Sequence, residues 1–156
     1  LLAGSSSCNR LYKREVLEGL RFPKGRINED EPLVLRAYER MERIVFLECE
    51  TYFYRKRANS ITTSAFSVKM ADCVYNSKEN LEFVTREAPE LIPAGEYKYC
   101  KSLLWCYVNL RKLKGDRQAE ALRRQFRNEI KEIRKTALVN PYLKFPLKVL
   151  AFLCRL

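Results

Sequence analysis

The sequence predicts an α+β protein that is mostly α-helical, with a short strand element and an acidic helix near its start and a helical bundle toward its C-terminus. Three observations predict this fold class. Apolar residues recur at helical spacing in several long segments. One segment is rich in β-branched and aromatic residues that alternate between two faces. An apolar content of 47% over 156 residues is enough for a modest core. We expect two parts, residues 1–64 and residues 65–156.

The first predicted elements are short and lead to a concentration of negative charge. A single-turn helix is predicted over residues 13–18, and residues 23–25, Pro-Lys-Gly, form a loop after it. Glu29, Asp30 and Glu31 follow this loop, and we call these three residues the acidic cluster.

A helix is predicted over residues 31–41, immediately after this charge. Its apolar residues recur every three to four positions, and Pro32 lies in the first turn, where the absent backbone N–H costs nothing. The acidic cluster therefore lies at a helix N-terminus. Residues 43–57 are predicted to form one strand, or two strands broken near residues 48–50. Longer helices are predicted over residues 66–87, 96–113 and 117–138, with a loop from Pro89 to Gly95.

The net charge of +11 is concentrated in the second half of the chain. Residues 1–85 carry 14 basic and 12 acidic side chains, whereas residues 86–156 carry 16 and 7. The helix over residues 117–138 has an apolar stripe and many Arg and Lys residues at its other positions. The stripe consists of Leu122, Phe126, Ile130, Ile133 and Ala137. A basic surplus favours an anionic partner, such as nucleic acid, a phospholipid surface or a phosphorylated ligand, and it is equally typical of a solvated helix face.

The chain has six cysteines and no histidine. The absence of histidine excludes histidine-based catalysis and histidine metal ligands, and the cysteines form no C-x-x-C pair of the kind that zinc fingers use. Irregular spacing and mostly apolar neighbours favour reduced, buried thiols and a cytoplasmic protein over three disulfides in a secreted one. The opening LLAGSSSC lacks a methionine and a signal peptide, so we expect a fragment of a longer protein.

The final segment, residues 141–156, is apolar with three interspersed basic residues, Lys144, Lys148 and Arg155. It is too short and too often charged to span a bilayer, which needs about 20 apolar residues. Two alternatives stay open for it. The segment lies on an anionic membrane surface, or it packs as a C-terminal helix of the core.

Three roles are open for the acidic cluster. Carboxylates at a helix start accept backbone N–H bonds and meet the positive end of the helix dipole, for about 0.3 to 2 kcal/mol, and this capping role is the default. A metal site is less favoured, because three adjacent acids without other donors make a poor cage. A general base is the third role, since an ionised carboxylate near a basic segment is suited to accept a proton from a hydroxyl.

Four segments follow one another along the first part of the chain: CNRLYK at residues 8–13, LRFPKG at 20–25, EDE at 29–31 and YFYRKR at 52–57 with NSI behind it. In this order they resemble the C-terminal half of bacterial family 2 glycosyltransferases, the inverting GT-A enzymes that build capsular polysaccharides and exopolysaccharides. The resemblance covers residues 8 to about 61, and the helical remainder matches only loosely. It implies that residues 1–64 are the acceptor side of a catalytic core.

The resemblance implies catalytic and donor-binding roles for four residues. Asp30 would be the general base that deprotonates the acceptor hydroxyl for in-line attack on the anomeric carbon of the sugar. Glu29 would orient Asp30 or the acceptor. Arg55 and Arg57 would bind the donor diphosphate, where guanidinium groups stabilise the charge that grows on the leaving phosphate.

The acceptor side is implied for two further residues, Arg10 and Tyr12, with Arg10 in place of the commoner lysine. Without the resemblance, a surface pair flanking a loop is an equally good interpretation of these two. For Arg55, the interpretation from the residues alone is an exposed arginine on an amphipathic strand.

The resemblance also implies partners and a cofactor for the whole enzyme. These are a nucleotide-sugar donor, a glycan or lipid-linked acceptor, and Mg²⁺ or Mn²⁺. The chain contains no D-x-D and no strand-helix-strand pattern with a Gly-rich turn, so we expect the donor-binding half and the metal ligands outside it, and no metal or cofactor within it. Alone, the chain should be inactive and should self-associate through exposed apolar surface. The expected location is the cytoplasm, with peripheral attachment to the inner face of the membrane.

A different class of function remains as the alternative: a non-catalytic, basic helical module, residues 96–156, that binds an anionic membrane surface or nucleic acid. The basic helix has almost no aromatic residues for stacking on bases, and no helix-turn-helix or RNA-binding signature is present. We therefore expect no nucleic-acid partner.

Overall fold

The computed structural model describes residues 6–58, 60, 61 and 63–154, and this part of the protein is mostly helical, as the sequence predicts. Its α-helices are α1 (Arg14–Leu17), α2 (Asp30–Glu39), α3 (Asp72–Glu87), α4 (Ile92–Leu110), α5 (Arg117–Val139) and α6 (Phe145–Leu153). Short 3-10 turns, Val68–Ala71 and Pro89–Leu91, precede α3 and α4. The helices predicted over residues 13–18, 31–41, 66–87 and 117–138 are confirmed to within a few residues. The division near residue 64 stays a prediction.

The core lies among the four C-terminal helices. α4 packs between α3 and α5, α6 packs on α5 and α4, and α2 packs on α3. Leu103 and Leu104 of α4 and Phe126 and Ile130 of α5 are fully buried at the centre. The apolar stripe predicted on the helix from residue 117 is thus confirmed as a packing face. Burying side chains of this size stabilises the fold by about 1.5 to 3 kcal/mol each.

The loop predicted from Pro89 to Gly95 is wrong in its second half, because α4 already begins at Ile92. Pro93 is tolerated in the first turn, where its missing N–H has no helical partner to lose. Gly95 is required by packing, since a Cβ there would lie 3.0 Å from Leu81 Cδ1 and from Val84 Cγ2 of α3. The proline therefore marks the start of a helix, and the glycine marks a close crossing of two helices. Local sequence rules do not distinguish these two features from a loop.

The strand predicted over residues 43–57 is also wrong, since these residues have no regular secondary structure. A tight turn, in which Thr51 N donates to Cys49 O at 3.0 Å, lies close to the break predicted near residues 48–50. Large side chains of the segment are open to solvent, with Phe46 85% and Phe53 88% exposed. A strand forms only when a neighbouring strand satisfies its backbone groups, and the described residues supply none.

The six cysteines are all free thiols. Cys100, Cys106 and Cys154 are buried, as predicted, whereas Cys8 and Cys49 are exposed. None of the helices in the described ranges is long and apolar enough to cross a membrane.

Candidate active site at the acidic cluster

The loop before the acidic cluster is held by polar side chains of α3. Asp72 Oδ2 accepts a hydrogen bond from Ile27 N at 2.9 Å, and Asn76 Nδ2 donates to the carbonyl oxygens of Ile27 and Asn28, both at 2.9 Å. Asn76 is completely buried, so these bonds are shielded from water. Asn28 has a left-handed backbone, φ 54°, which asparagine tolerates better than most residues. The backbone that leads into the acidic cluster is therefore fixed by α3.

A bridging carboxylate extends this attachment to α2. Glu79 accepts from Arg26 Nη1 at 2.7 Å with one oxygen and from Arg36 Nη2 at 2.8 Å with the other. Arg26 precedes the acidic cluster and Arg36 follows it, so one side chain of α3 holds both flanks. Asp72, Asn76 and Glu79 recur at i, i+4 and i+7 and share one face of α3. We call these three residues the polar stripe.

The three carboxylates of the acidic cluster have different surroundings. Glu29 occupies the N-cap position of α2 but makes no side-chain cap hydrogen bond. Asp30 is half-buried, and its Oδ2 accepts from Ser7 N at 3.1 Å. Glu31 Oε1 pairs with Lys98 of α4 at 3.0 Å. Helix capping was the default role predicted for the acidic cluster from its residues alone. The side chain of Glu29, at the N-cap position, does not perform it. Asp30 instead ties α2 to the N-terminal segment.

Residues 7–10 connect three of the four segments that carry the glycosyltransferase resemblance. Ser7 contacts Asp30, as described. A hydrogen bond to the Cys8 side chain raises the pKa of Tyr52 above its ordinary value, which places the YFYRKR segment beside the CNRLYK segment. Arg10 Nη1 donates to the Tyr38 hydroxyl of α2, and its guanidinium lies 5.2 Å from the Tyr38 ring centroid. These contacts bring the segments together in space although the contacting residues are up to 44 positions apart along the chain.

The predicted donor-binding residues are not brought into contact with Asp30. The side chains of Arg55 and Arg57 are exposed, and neither guanidinium has an ion pair within the described ranges. Arg57 contributes a backbone carbonyl, which accepts from Thr63 Oγ1 at 2.9 Å. Arg55 follows Tyr52 by three residues, so its backbone lies within about 11 Å of the Tyr52 backbone.

Tyr12 and Glu31 each present a buried polar atom without a partner in the described part of the chain. These atoms are the Tyr12 hydroxyl and Glu31 Oε2. A buried polar group left without a hydrogen bond costs about 1 to 3 kcal/mol, so such groups are few in folded proteins. Tyr12 is one of the two residues predicted on the acceptor side.

A metal ion has no evident set of ligands here. Among the described residues, no group of three or more Cys, Asp or Glu side chains could hold one. The adjacent carboxylates diverge instead, with Asp30 bonded to the N-terminal segment and Glu31 to α4.

Five residues that position the acidic cluster were missed from the sequence: Ser7, Asp72, Asn76, Glu79 and Lys98. A signal for three of them was present, because α3 carries polar residues at i, i+4 and i+7 beside its apolar face. The sequence around Ser7 and around Lys98 contains no local pattern that indicates a role at the acidic cluster. Their roles arise from contacts across 23 and 67 residues.

Comparison with known proteins gives partial similarity to a glycosyltransferase. The glycosyltransferase GlyG of Streptococcus pneumoniae serotype 4 (strain ATCC BAA-334 / TIGR4) is 32% identical over a 77-residue alignment that covers 42% of this chain and 26% of that protein. The chain thus matches about a quarter of the length of this curated relative. No protein-family model matches the chain, and no solved structure matches it. The similarity supports a glycosyltransferase in general terms.

Proposed function

We propose that this chain is the acceptor-side part of an inverting glycosyltransferase of family 2 and GT-A type, that it acts in polysaccharide biosynthesis, and that Asp30 is its general base. One observation carries the proposal. The Asp30 carboxylate, Tyr38 of α2 and Tyr52 of the YFYRKR segment all converge on residues 7–10, where they meet Ser7, Arg10 and Cys8 respectively. The partial similarity to a glycosyltransferase supports the same class of reaction.

The proposed reaction is a single displacement at the anomeric carbon of the donor sugar. The acceptor hydroxyl oxygen forms a bond to that carbon while the bond to the nucleoside diphosphate breaks, and the bonding electrons leave with the diphosphate. The hydroxyl proton passes to Asp30, and the anomeric configuration inverts. Oδ2 of Asp30 already accepts a hydrogen bond from Ser7 N. We therefore assign acceptance of the hydroxyl proton to Oδ1. A positioned carboxylate of this kind contributes about 10² to 10⁴ in rate.

The residues around Asp30 suit this role electrostatically. Lys98 compensates the charge of Glu31, which lowers the repulsion that an adjacent carboxylate exerts on an ionised Asp30. The polar stripe binds the backbone before Asp30 and the side chain of Arg36 after it, and these attachments help to give the Asp30 carboxylate the defined position that a general base needs. We assign Arg55 and Arg57 to the donor diphosphate, Arg10 and Tyr12 to the acceptor, and Glu29 to the orientation of Asp30 or the acceptor.

The donor side of the proposal extends beyond this chain. We propose a nucleotide-sugar as donor and a glycan or a lipid-linked sugar as acceptor. The described residues do not fit a divalent ion, so we place any ligands of Mg²⁺ or Mn²⁺ outside this chain and assign no step to the ion. The cytoplasm is the location that such a donor requires.

The test is the Asp30→Asn substitution in the longest polypeptide that the gene encodes. Transfer of labelled sugar from a panel of nucleotide-sugars to glycan and lipid-linked acceptors is measured over a range of donor concentrations that reaches saturation. We expect kcat to fall by at least about 100-fold with little change in the KM for donor, because the general base acts on the acceptor. NMR of the product reports inversion. An unchanged kcat in Asp30→Asn would contradict the assignment.

The matched control is Asp116→Asn. Asp116 caps α5, with Oδ1 accepting from Gln118 N and Ala119 N, and asparagine caps nearly as well as aspartate. We expect unchanged transfer in this variant. The alternative function, a non-catalytic basic module, predicts that no donor is turned over by the wild-type polypeptide.

A further inference from the structure

Helix α6 is apolar on two opposite faces, and only one of them is covered. The covered face packs into the bundle and consists of Leu147, Leu150, Ala151 and Cys154. The other face consists of Phe145, Val149, Phe152 and Leu153, and we call these four residues the outer stripe. They recur at i, i+4, i+7 and i+8, so at about 100° per residue they share one side of the helix. Phe145 is 77% exposed and Phe152 is 51% exposed.

Two further apolar side chains that precede α6 closely along the chain are exposed, Val139 at the end of α5 and Tyr142 in the connecting loop. Soluble monomers rarely expose large contiguous apolar patches, and those that they expose usually mark an interaction site. Of the two alternatives left open for the tail, packing as a core helix is confirmed for the described part, because α6 packs on α5 and α4, whereas attachment to a membrane surface stays a prediction. Arg155, which the sequence assigned to the same tail, lies outside the described residues.

Positive charge surrounds the outer stripe. The Arg134 guanidinium of α5 lies 5.9 Å from the Phe152 ring centroid, so the basic side of α5 adjoins the stripe directly. Lys144 is exposed just before α6, Lys148 is half-buried within it, and Lys131 and Lys135 are exposed on α5. Residues 123–154 carry eight basic and only two acidic side chains. The partner should therefore offer both an apolar phase and negative charge.

We infer that the outer stripe and its basic rim dock this protein on the surface of an anionic phospholipid membrane. Phe145, Val149, Phe152 and Leu153 would enter the boundary between headgroups and acyl chains, while the lysines and Arg134 meet lipid phosphates. The covered face of α6 stays in the core, so docking requires no unfolding. Nucleic acid offers negative charge for the basic rim but no apolar phase for the outer stripe. An apolar protein surface covers the stripe but offers no negative charge.

The test is binding of the full chain to phospholipid vesicles, measured by co-sedimentation. We expect binding to vesicles of phosphatidylcholine that contain about 30% phosphatidylglycerol. Binding to vesicles of phosphatidylcholine alone should be at least about five-fold weaker, since each basic residue at an anionic surface increases the affinity about five-fold. Raising the salt concentration should weaken the binding, because headgroup attraction is screened.

Two double variants separate the apolar and electrostatic parts. Phe145→Ser with Phe152→Ser and, separately, Lys144→Glu with Lys148→Glu should each weaken vesicle binding more than about ten-fold. The matched controls make the same changes elsewhere on the surface. Phe46→Ser with Phe53→Ser alters two phenylalanines that are at least as exposed, and Lys114→Glu with Arg117→Glu alters two exposed basic residues. Both controls should bind vesicles as the wild type does.

Three outcomes would overturn the proposal. The first is no vesicle binding by the wild type, and the second is equal loss in a control and its matched variant. The third is a wild-type protein that sediments as a dimer, together with a Phe145→Ser, Phe152→Ser variant that sediments as a monomer and binds vesicles as the wild type does. The outer stripe would then be covered by a second copy of the chain. Circular dichroism melting confirms that each variant is folded, and substitution at exposed positions should shift the melting temperature little.

Discussion

Lys98 Nζ lies 3.0 Å from Glu31 Oε1, which joins α4 to the first turn of α2. Both side chains are largely withdrawn from solvent, at 23% and 16% exposure. The basic C-terminal region thus supplies a counter-charge to one member of the acidic cluster. In such surroundings each charge of the pair compensates the other, and removal of one partner leaves the remaining charge poorly solvated.

Replacement of Lys98 by methionine should destabilise the protein by about 1 to 3 kcal/mol, less than for a fully buried pair because both groups retain some solvent. The measurement is urea unfolding at neutral pH. Lys114→Met is the control, since Lys114 is exposed in the turn between α4 and α5, and it should change the free energy of unfolding by less than about 0.5 kcal/mol. Equal effects of the two substitutions would show that the Lys98 pair contributes nothing specific.

Replacement of Asn76 by alanine should destabilise the protein by about 2 to 3 kcal/mol, because the carbonyl oxygens of Ile27 and Asn28 lose their donors in a buried site. Urea unfolding gives this value. Hydrogen exchange should also quicken at residues 26–30, because their attachment to α3 is weakened. Asn128→Ala, on the exposed face of α5, is the control and should leave both measurements unchanged. Unaltered exchange at residues 26–30 in Asn76→Ala would contradict the role of the polar stripe.

Alkaline pH should destabilise the protein through buried thiols. Burial raises the pKa of Cys100 to about 12. The folded state therefore favours the neutral thiol, so this stabilisation is complete below the pKa of the unfolded thiol, about 8.5, and is lost as pH rises toward the folded pKa. Between these values Cys100 contributes a slope of up to about 1.4 kcal/mol per pH unit.

The check on this prediction is urea unfolding under reducing conditions at several pH values from 8 to 11. Cys100→Ala should have a shallower decline in the free energy of unfolding than the wild type, whereas Cys49→Ala, at an exposed position, should not. Parallel declines in all three proteins would mean that Cys100 is not the titrating group.

Thiol reactivity should divide the cysteines by burial. Cys8 and Cys49 are exposed and should react first with an aromatic disulfide reagent at pH 8. Cys100, Cys106 and Cys154 are buried, and burial raises the pKa of Cys100 and of Cys154, so these thiols should react only after denaturant is added. Cys8→Ser with Cys49→Ser should remove the fast phase. Cys73 is half-buried, and a hydrogen bond with Cys106 lowers its pKa, so Cys73→Ser is added to the double variant. A fast phase that persists in the resulting triple variant would show that the bundle opens readily.

Local sequence patterns were reliable where the interactions that form an element lie within a few residues of one another. Helix α5 is an example: its apolar stripe predicted the packing face, and Asp116 caps it through the N–H groups of Gln118 and Ala119, two and three residues away. The acidic cluster at the start of α2 was predicted for the same reason. Residues 43–57 show the limit, since their β-branched and aromatic pattern describes a tendency to pair, and no partner strand lies within the described residues.

The sequence by itself determined most of the helical segments, which residues form the packing stripe of α5, and that the acidic cluster lies at the start of a helix. Only the tertiary structure decided that Ser7 takes one oxygen of Asp30, that Lys98 pairs with Glu31, that the polar stripe of α3 holds both flanks of the cluster, and that α6 leaves one apolar face uncovered. The physical reason is distance along the chain. Helix propensity, capping and periodicity act within about one or two turns, whereas these contacts join residues 23 or more positions apart, and which distant groups meet depends on how the helices pack.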